Sequence, residues 1–193
     1  MRNTSDDDTV SSRHEPWVSS RTPLVHLVRL DAAVIDALAD GDLGLASALS
    51  PFELSADFVE AANVRVWRFR SRQLRSSPDD AAWITRAICA SDGGAAVGRA
   101  GFHGPPDESG MVEVGYSVDP AYRRQGYARA ALSALLERAR IEDSVRVVRA
   151  SIRPDNLASR SLVAQFGFVE VGEQWDDEDG LETIYEVNAL SSP

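Results

Sequence analysis

Only one cysteine, Cys89, occurs in the 193 residues, so no intramolecular disulfide can form and a reduced, cytoplasmic setting fits. Its apolar neighbours Ala87, Ile88 and Ala90 mark it as a buried strand thiol. No apolar run approaches the ~18 residues of a membrane span, and Asp6, Asp7 and Asp8 stand where a secretion signal would carry its apolar core. The expectation is a soluble protein with no membrane partner. Positive charge is also scarce: 20 basic against 30 acidic residues give a formal net charge of -10 and a pI near 4.7. That balance argues against a nucleic-acid partner and favours a cationic substrate. His14, His26 and His103 are dispersed and have no cysteine partners, so no metal is expected. The acidic stretch from Asp176 to Gly180 lacks the alternating ligand spacing of a calcium loop and reads as a solvated turn or as an acidic rim attracting a cationic amine.

Residues 1–22 combine polar side chains with scattered apolar ones, too few to offset the entropy of ordering, and read as a flexible tail. Residues 23–190 then form one domain. Leu24 to Leu30 predicts a strand, and Ala32 to Ala39 a helix capped by Asp31 and stopped by Gly41. A second helical region spans about 55–75, with Phe58, Ala62, Val66 and Phe69 on one face. Trp83 to Ala90 and Ala95 to Phe102 form a hairpin through Asp92-Gly93-Gly94. Met111 to Val118 alternates cleanly, with Val112, Val114, Tyr116 and Val118 on one face and Glu113, Gly115 and Ser117 on the other. Ala128, Ala131, Leu132, Leu135, Leu136 and Ala139 repeat at helical spacing. A strand over Val145 to Ile152, a helix capped by Asp155 or Asn156 and ended by Gly167, and strands over Phe168 to Trp175 and Leu181 to Val187 complete the chain. Trp67, Trp83 and Trp175 read as core or edge packing. The order is that of an α/β fold around a mixed sheet.

Between the alternating strand and the Ala-rich helix lies Arg123-Arg124-Gln125-Gly126-Tyr127-Ala128-Arg129. A helix start exposes unpaired backbone N–H groups and the positive end of its dipole, which together attract a phosphate. Gly126 lets the backbone approach, Ala128 keeps the first turn small, and the arginines invert the local sign of an acidic chain. Taken alone the pattern also fits a solvated basic helix start; its place between these two elements is what points to an anionic ligand.

Here the sequence resembles the GNAT superfamily of acetyl-coenzyme A dependent N-acetyltransferases, whose signature is a strand followed by Arg/Gln-x-x-Gly-x-Gly/Ala opening a helix. The resemblance continues through Asn156-Leu157-Ala158-Ser159 and Leu162 to Phe166-Gly167-Phe168 and covers about residues 24–188. It implies a mostly antiparallel sheet of six to seven strands flanked by helices, with a V-shaped splay between the central strands. It also implies acetyl-CoA as co-substrate, with backbone groups of Tyr116 and Val118 pairing with the pantetheine arm and amides from Arg124 through Arg129 holding the pyrophosphate. The Asn-x-x-Ser spacing and the long amino-terminal helical region look most like the branch acting on ribosomal-protein amino termini. The implied acceptor is a primary amine of a small molecule or peptide N-terminus, and the protein a monomer or homodimer.

An attacking amine must be neutral. An α-amine is partly so near pH 7, whereas a lysine-like amine needs about 4 to 5 kcal/mol for deprotonation there. Glu113, on the central strand five residues before Val118, is the candidate base, directly or through a water; the competing reading is an exposed or ion-paired carboxylate. A backbone N–H near Val118 suits the carbonyl oxygen. Where many relatives carry a tyrosine that protonates the thiolate, seven residues after the asparagine, this chain has Val163. Ser159 resembles the serine of the ribosomal-protein branch, which implies a hydrogen bond to the sulfur, or is part of its helix's cap, and Asn156 either binds the coenzyme or caps that helix. The missing tyrosine leaves a non-catalytic acyl-coenzyme A binding or sensing module as the alternative.

Overall fold

The computed structural model describes residues 16–90, 94–178 and 180–190. Its centre is an eight-stranded sheet in the order β1-β2-β3-β4-β5-β6-β8-β7. The strands are β1 (Trp17–Val18), β2 (Val25–Arg29), β3 (Arg86–Ala90), β4 (Ala96–Phe102), β5 (Met111–Val118), β6 (Val147–Ile152), β7 (Val169–Asp176) and β8 (Gly180–Asn188). Every pairing is antiparallel except β5 with β6. The helices are α1 (Ala32–Asp40), α2 (Leu43–Leu49), α3 (Ala61–Ser76), α4 (Tyr127–Arg140) and α5 (Leu157–Ala164).

Alternation along the strands gives the sheet two apolar faces. Ile88, Val112, Val114 and Val118 pack with Ala131, Leu132 and Leu135 of α4 and Val163 of α5. On the other face Ala87 and Cys89 pack with Val34, Ile35 and Leu38 of α1 and Trp67 of α3. Burial pushes the Cys89 thiol up to about 12, as suits the inert strand cysteine that was expected.

Several elements differ from the sequence reading. Within the expected tail, Trp17 is buried against Phe102, with ring centroids 5.6 Å apart, and pairs with Leu27 in β1; residues 1–15 lie outside the described residues. One large aromatic supplies the burial that the surrounding polar residues do not. The region 55–75 divides into a 3-10 turn over Ala56–Val59 and helix α3, and the additional α2 precedes it. The buried stripe of α3 is Asn63, Trp67, Arg70 and Ser71, whereas Phe69 is exposed. The polar members turn inward because partners await them there: Arg70 Nε donates to Thr85 Oγ1 at 3.0 Å. Asp31 occupies the N-cap of α1 without a side-chain capping bond, while Gly41 ends that helix at φ 78°. Residues 78–82 form a 3-10 turn, so β3 begins at Arg86 and not at Trp83. Trp67 and Trp83 are buried and Trp175 is exposed. Asp92 and Gly93 of the expected hairpin, and Asp179 of the acidic turn, lie outside the described residues.

Trp67 anchors the α3 face: its ring stacks on Phe58 at 6.0 Å and its Nε1 donates to the Phe58 carbonyl at 2.9 Å. Trp67→Ala is expected to cost about 3–5 kcal/mol, read as a lower midpoint in urea with unchanged slope.

Candidate functional site

The parallel register of β5 with β6 ends at Glu113 opposite Arg149. β5 continues to Val118 on β4, while β6 continues to Ile152 on β8, so the two central strands part beyond Glu113. The His103 N–H donates to the Glu113 carbonyl at 2.7 Å, and the Asp119 N–H to the Val97 carbonyl at 3.0 Å. Odd-numbered backbone groups of β5 therefore face β4, and those of Tyr116 and Val118 face the gap. One acceptor on this edge is taken, because Arg123 Nε donates to the Val118 carbonyl at 3.0 Å. The splay leaves an extended edge ready for another extended chain.

That edge leads directly into the phosphate-loop candidate. Asp119 Oδ1 accepts from the Ala121 N–H at 2.8 Å and fixes the turn after β5. Arg124 then adopts φ 63° and Gly126 φ 91°, immediately before the first turn of α4. Left-handed residues beside a helix start turn successive N–H groups into one concavity. Arg123, Arg124, Gln125, Gly126 and Arg129 are exposed, Tyr127 and Ala128 half-buried. The Arg129 side chain donates to Gln165 Oε1 and so ties the loop to α5. Among the described residues no group of three or more His, Cys, Asp or Glu is placed to hold a metal.

The proposed catalytic side chains lie on opposite faces of the sheet, with the gap between them. On the α4 and α5 face, Asn156 Oδ1 accepts from the Ser159 N–H at 3.1 Å, so the Asn-x-x-Ser spacing makes a helix cap. Ser159 is half-buried beside the Tyr116 phenol, which burial raises above the usual tyrosine range and the serine partly lowers again. No well-directed hydrogen bond forms between them: the Tyr116 hydroxyl is sealed and unpartnered. Val163, standing where the tyrosine of many relatives would be, is fully buried in the core.

On the α3 face, Glu113 is mostly buried, and its Oε1 lies 3.7 Å from His103 Nδ1. Half of the His103 side chain is exposed, yet partial burial and the Arg70 and Arg99 guanidiniums hold it below the usual histidine range, hence neutral near pH 7. Its ring covers Gly115, where an added Cβ would stand 2.9 Å from Nε2. Further along β4, Arg99 Nε donates to Asn63 Oδ1 at 2.7 Å, and Asn63 Nδ2 donates to the Asp57 carbonyl and carboxylate at 2.6 and 3.0 Å. Burial, then the neighbouring Asp119, raises the Asp57 carboxyl. Ser55 Oγ donates to Asp119 Oδ2 at 2.6 Å, linking this network to the loop after β5. His103 and Arg99 were not singled out as site residues from sequence. The hairpin register, which sets residue 103 opposite 113, is the signal that finds the histidine.

Residues 47–169 match the acetyltransferase (GNAT) domain family. The chain belongs to that family. The uncharacterized N-acetyltransferase YjdG of Bacillus subtilis (strain 168) is 36% identical over 87 residues, 45% of this chain and 50% of the relative. The matched part thus spans about half the length of that curated relative. Among solved structures, Mycobacterium smegmatis RimJ in complex with a CoA disulfide superposes with TM-score 0.61 at 20% identity, covering 90% of this chain and 85% of the other. The ribosomal-protein-S5-alanine acetyltransferase of Vibrio fischeri gives TM-score 0.62 at 17% identity, over 89% and 97%. The GNAT fold, with its mostly antiparallel sheet and central splay, is therefore the architecture of this chain. The sheet has one strand more than the expected six to seven, including the two-residue β1.

Proposed function

We propose that this GNAT chain transfers an acetyl group from acetyl-CoA to a primary amine by direct attack in a ternary complex. The observation that carries it is the continuity of the open β5 edge with the helix start at Gly126: an extended arm and an anionic head are accommodated end to end. The Tyr116 backbone groups hold the pantetheine, the Val118 N–H meets the thioester end of the same arm, and amides from Arg124 to Arg129 hold the pyrophosphate. Asn156, whose oxygen caps α5, presents its remaining amide nitrogen toward the coenzyme.

The residues divide the proton movements. The amine enters from the α3 face and loses its proton to Glu113, directly or through a water, as its nitrogen bonds the thioester carbon. The Val118 N–H supports the carbonyl oxygen. The carbon–sulfur bond breaks with its electron pair on sulfur; Ser159 hydrogen-bonds the thiolate, which takes a proton from solvent while Glu113 returns its own to solvent. The acceptor is a small molecule or a peptide N-terminus, as the ribosomal-protein enzymes of the same fold suggest. We place the protein in the cytoplasm, acting as a monomer or homodimer.

Thiol release from acetyl-CoA across peptide α-amines, polyamines, aminoglycosides and amino acids tests the reading. Acceptor-dependent release supports it, whereas coenzyme binding without such release across the panel favours a sensing module, the reading that the burial of Val163 keeps in play. Ser159→Ala is expected to lower kcat about tenfold, the worth of one hydrogen bond to the departing sulfur, with coenzyme affinity unchanged; normal turnover leaves the serine a structural role.

A further inference from the structure

From the α3 face of the gap we infer that the acceptor carries a carboxylate and that Arg99 binds it. This rests on the acetyltransferase reading above and names the class of amine it acts on.

Arg99 and Glu113 bracket Gly115 and Ser117, the two small residues that follow Glu113 on this face of β5; Arg99 stands opposite Ser117 in the β4 register. The His103 ring fills the place over Gly115, so half-buried Ser117 is the small residue that separates this ring from Arg99. Arg99 is largely buried, and burial lowers its guanidinium to about 10, which keeps it charged at neutral pH.

Among the described residues, the single hydrogen bond of its side chain is the one from Nε to Asn63. Among the described residues, its two terminal nitrogens have no hydrogen-bond or ion-pair partner. By contrast, Arg70 on the same face donates through Nε to Thr85 and through Nη1 to Gln73 and the His103 carbonyl, and Arg149 donates through Nε and Nη2 to Glu186. Asp57 acts on Arg99 through its charge, with no hydrogen bond or ion pair between them among the described residues; Asp119 is held by Ser55 and the Ala121 N–H.

Asn63 is itself fixed by two hydrogen bonds to Asp57, so the guanidinium is aimed before anything binds. With Nε engaged, the free end is the fork that accepts a planar carboxylate through two parallel N–H···O bonds. Asp57 and Asp119 nearby disfavour a doubly charged phosphate. The chain's overall acidity suggests a cationic substrate; the local chemistry asks for one that is anionic at a second point. Either an α-amino acid or a peptide with an acidic side chain near its amino terminus meets that description.

Matched acceptors decide between these sources and test the inference: alanine against alaninamide, and the peptide amide Ala-Glu against Ala-Gln. Wild-type enzyme is expected to favour the carboxylate member of one pair in kcat/KM by at least ~30-fold, the range of a desolvated charge pair. Arg99→Gln is expected to bring that ratio to about one, and Arg99→Lys, which keeps charge but loses the fork, to leave it intermediate. The preferred pair identifies the source. No preference in either pair, or a preference that survives Arg99→Gln in protein with a normal melting curve, overturns the inference. If no amine releases thiol, the acetyltransferase reading fails by itself. Calorimetric binding of the same pairs to the coenzyme-loaded protein then decides the arginine's role: carboxylate-selective binding lost in Arg99→Gln sustains it, and unselective binding or none overturns it.

Discussion

Gly126→Glu is expected to abolish coenzyme binding while leaving the fold in place. Gly126 adopts φ 91°, a left-handed conformation that costs a residue with a Cβ about 1–2 kcal/mol. An added Cβ would also stand 2.9 Å from Pro23 Cδ. The larger effect is electrostatic: a carboxylate would occupy the helix start where the arginines and the dipole favour a phosphate. Titration calorimetry with coenzyme A is expected to show at least a ~100-fold loss of affinity, or about 2.7 kcal/mol. Gly126→Ala separates the two contributions, since it carries the backbone penalty without the charge. Near-normal affinity in the glutamate variant would move the pyrophosphate elsewhere and undo the donor-side assignment.

Glu113→Gln has the second large effect and a different signature. The substitution preserves shape and takes away the capacity to accept a proton, so kcat is expected to fall ~100-fold or more, the contribution typical of a positioned general base. Coenzyme affinity is expected to stay unchanged, because the side chain lies on the α3 face and the open edge uses backbone groups. The loss is expected to be larger for lysine-like amines than for α-amines, since the former are almost wholly protonated near pH 7. An unchanged rate and pH profile would return Glu113 to the role of a carboxylate beside His103.

The parts of the site that depend on local pattern were legible in the sequence. β5 spans Met111–Val118 as its alternation predicts, and α4 begins and ends within a residue or two of its apolar repeat, since burial of one face dictates both. The breaks were harder to read. α2 spans seven residues, too few for a periodic face to declare itself, and the turn at Glu60 that divides the 55–75 region follows from tertiary packing. The face of α3 was misread for an instructive reason. Apolar spacing selects Phe58, Ala62, Val66 and Phe69, yet the chain buries Asn63 and Arg70, whose partners Arg99 and Thr85 lie 36 and 15 residues away. Periodicity registers where apolar side chains recur; it is silent on a polar stripe drawn inward by distant hydrogen bonds. Glu113 was found because strand alternation sets it on the face of β5 opposite the valines, whereas His103 and Arg99 acquire meaning only through cross-strand register. The left-handed Arg124 has no sequence signal of its own, since arginine does not favour that conformation.

The contact of Gly126 with Pro23 couples two regions that the chain separates by about a hundred residues. Ser20 Oγ donates to Glu137 of α4 at 2.7 Å, and Arg21 lies over Phe166 with its guanidinium carbon 5.1 Å from the ring centre. The segment after β1 thus acts as a brace beneath the phosphate loop. A tag or fusion joined upstream would pull on this brace, and a cut close to Trp17 would loosen it. Apparent coenzyme affinity would then vary with how the protein was prepared, even in preparations whose catalytic residues are identical.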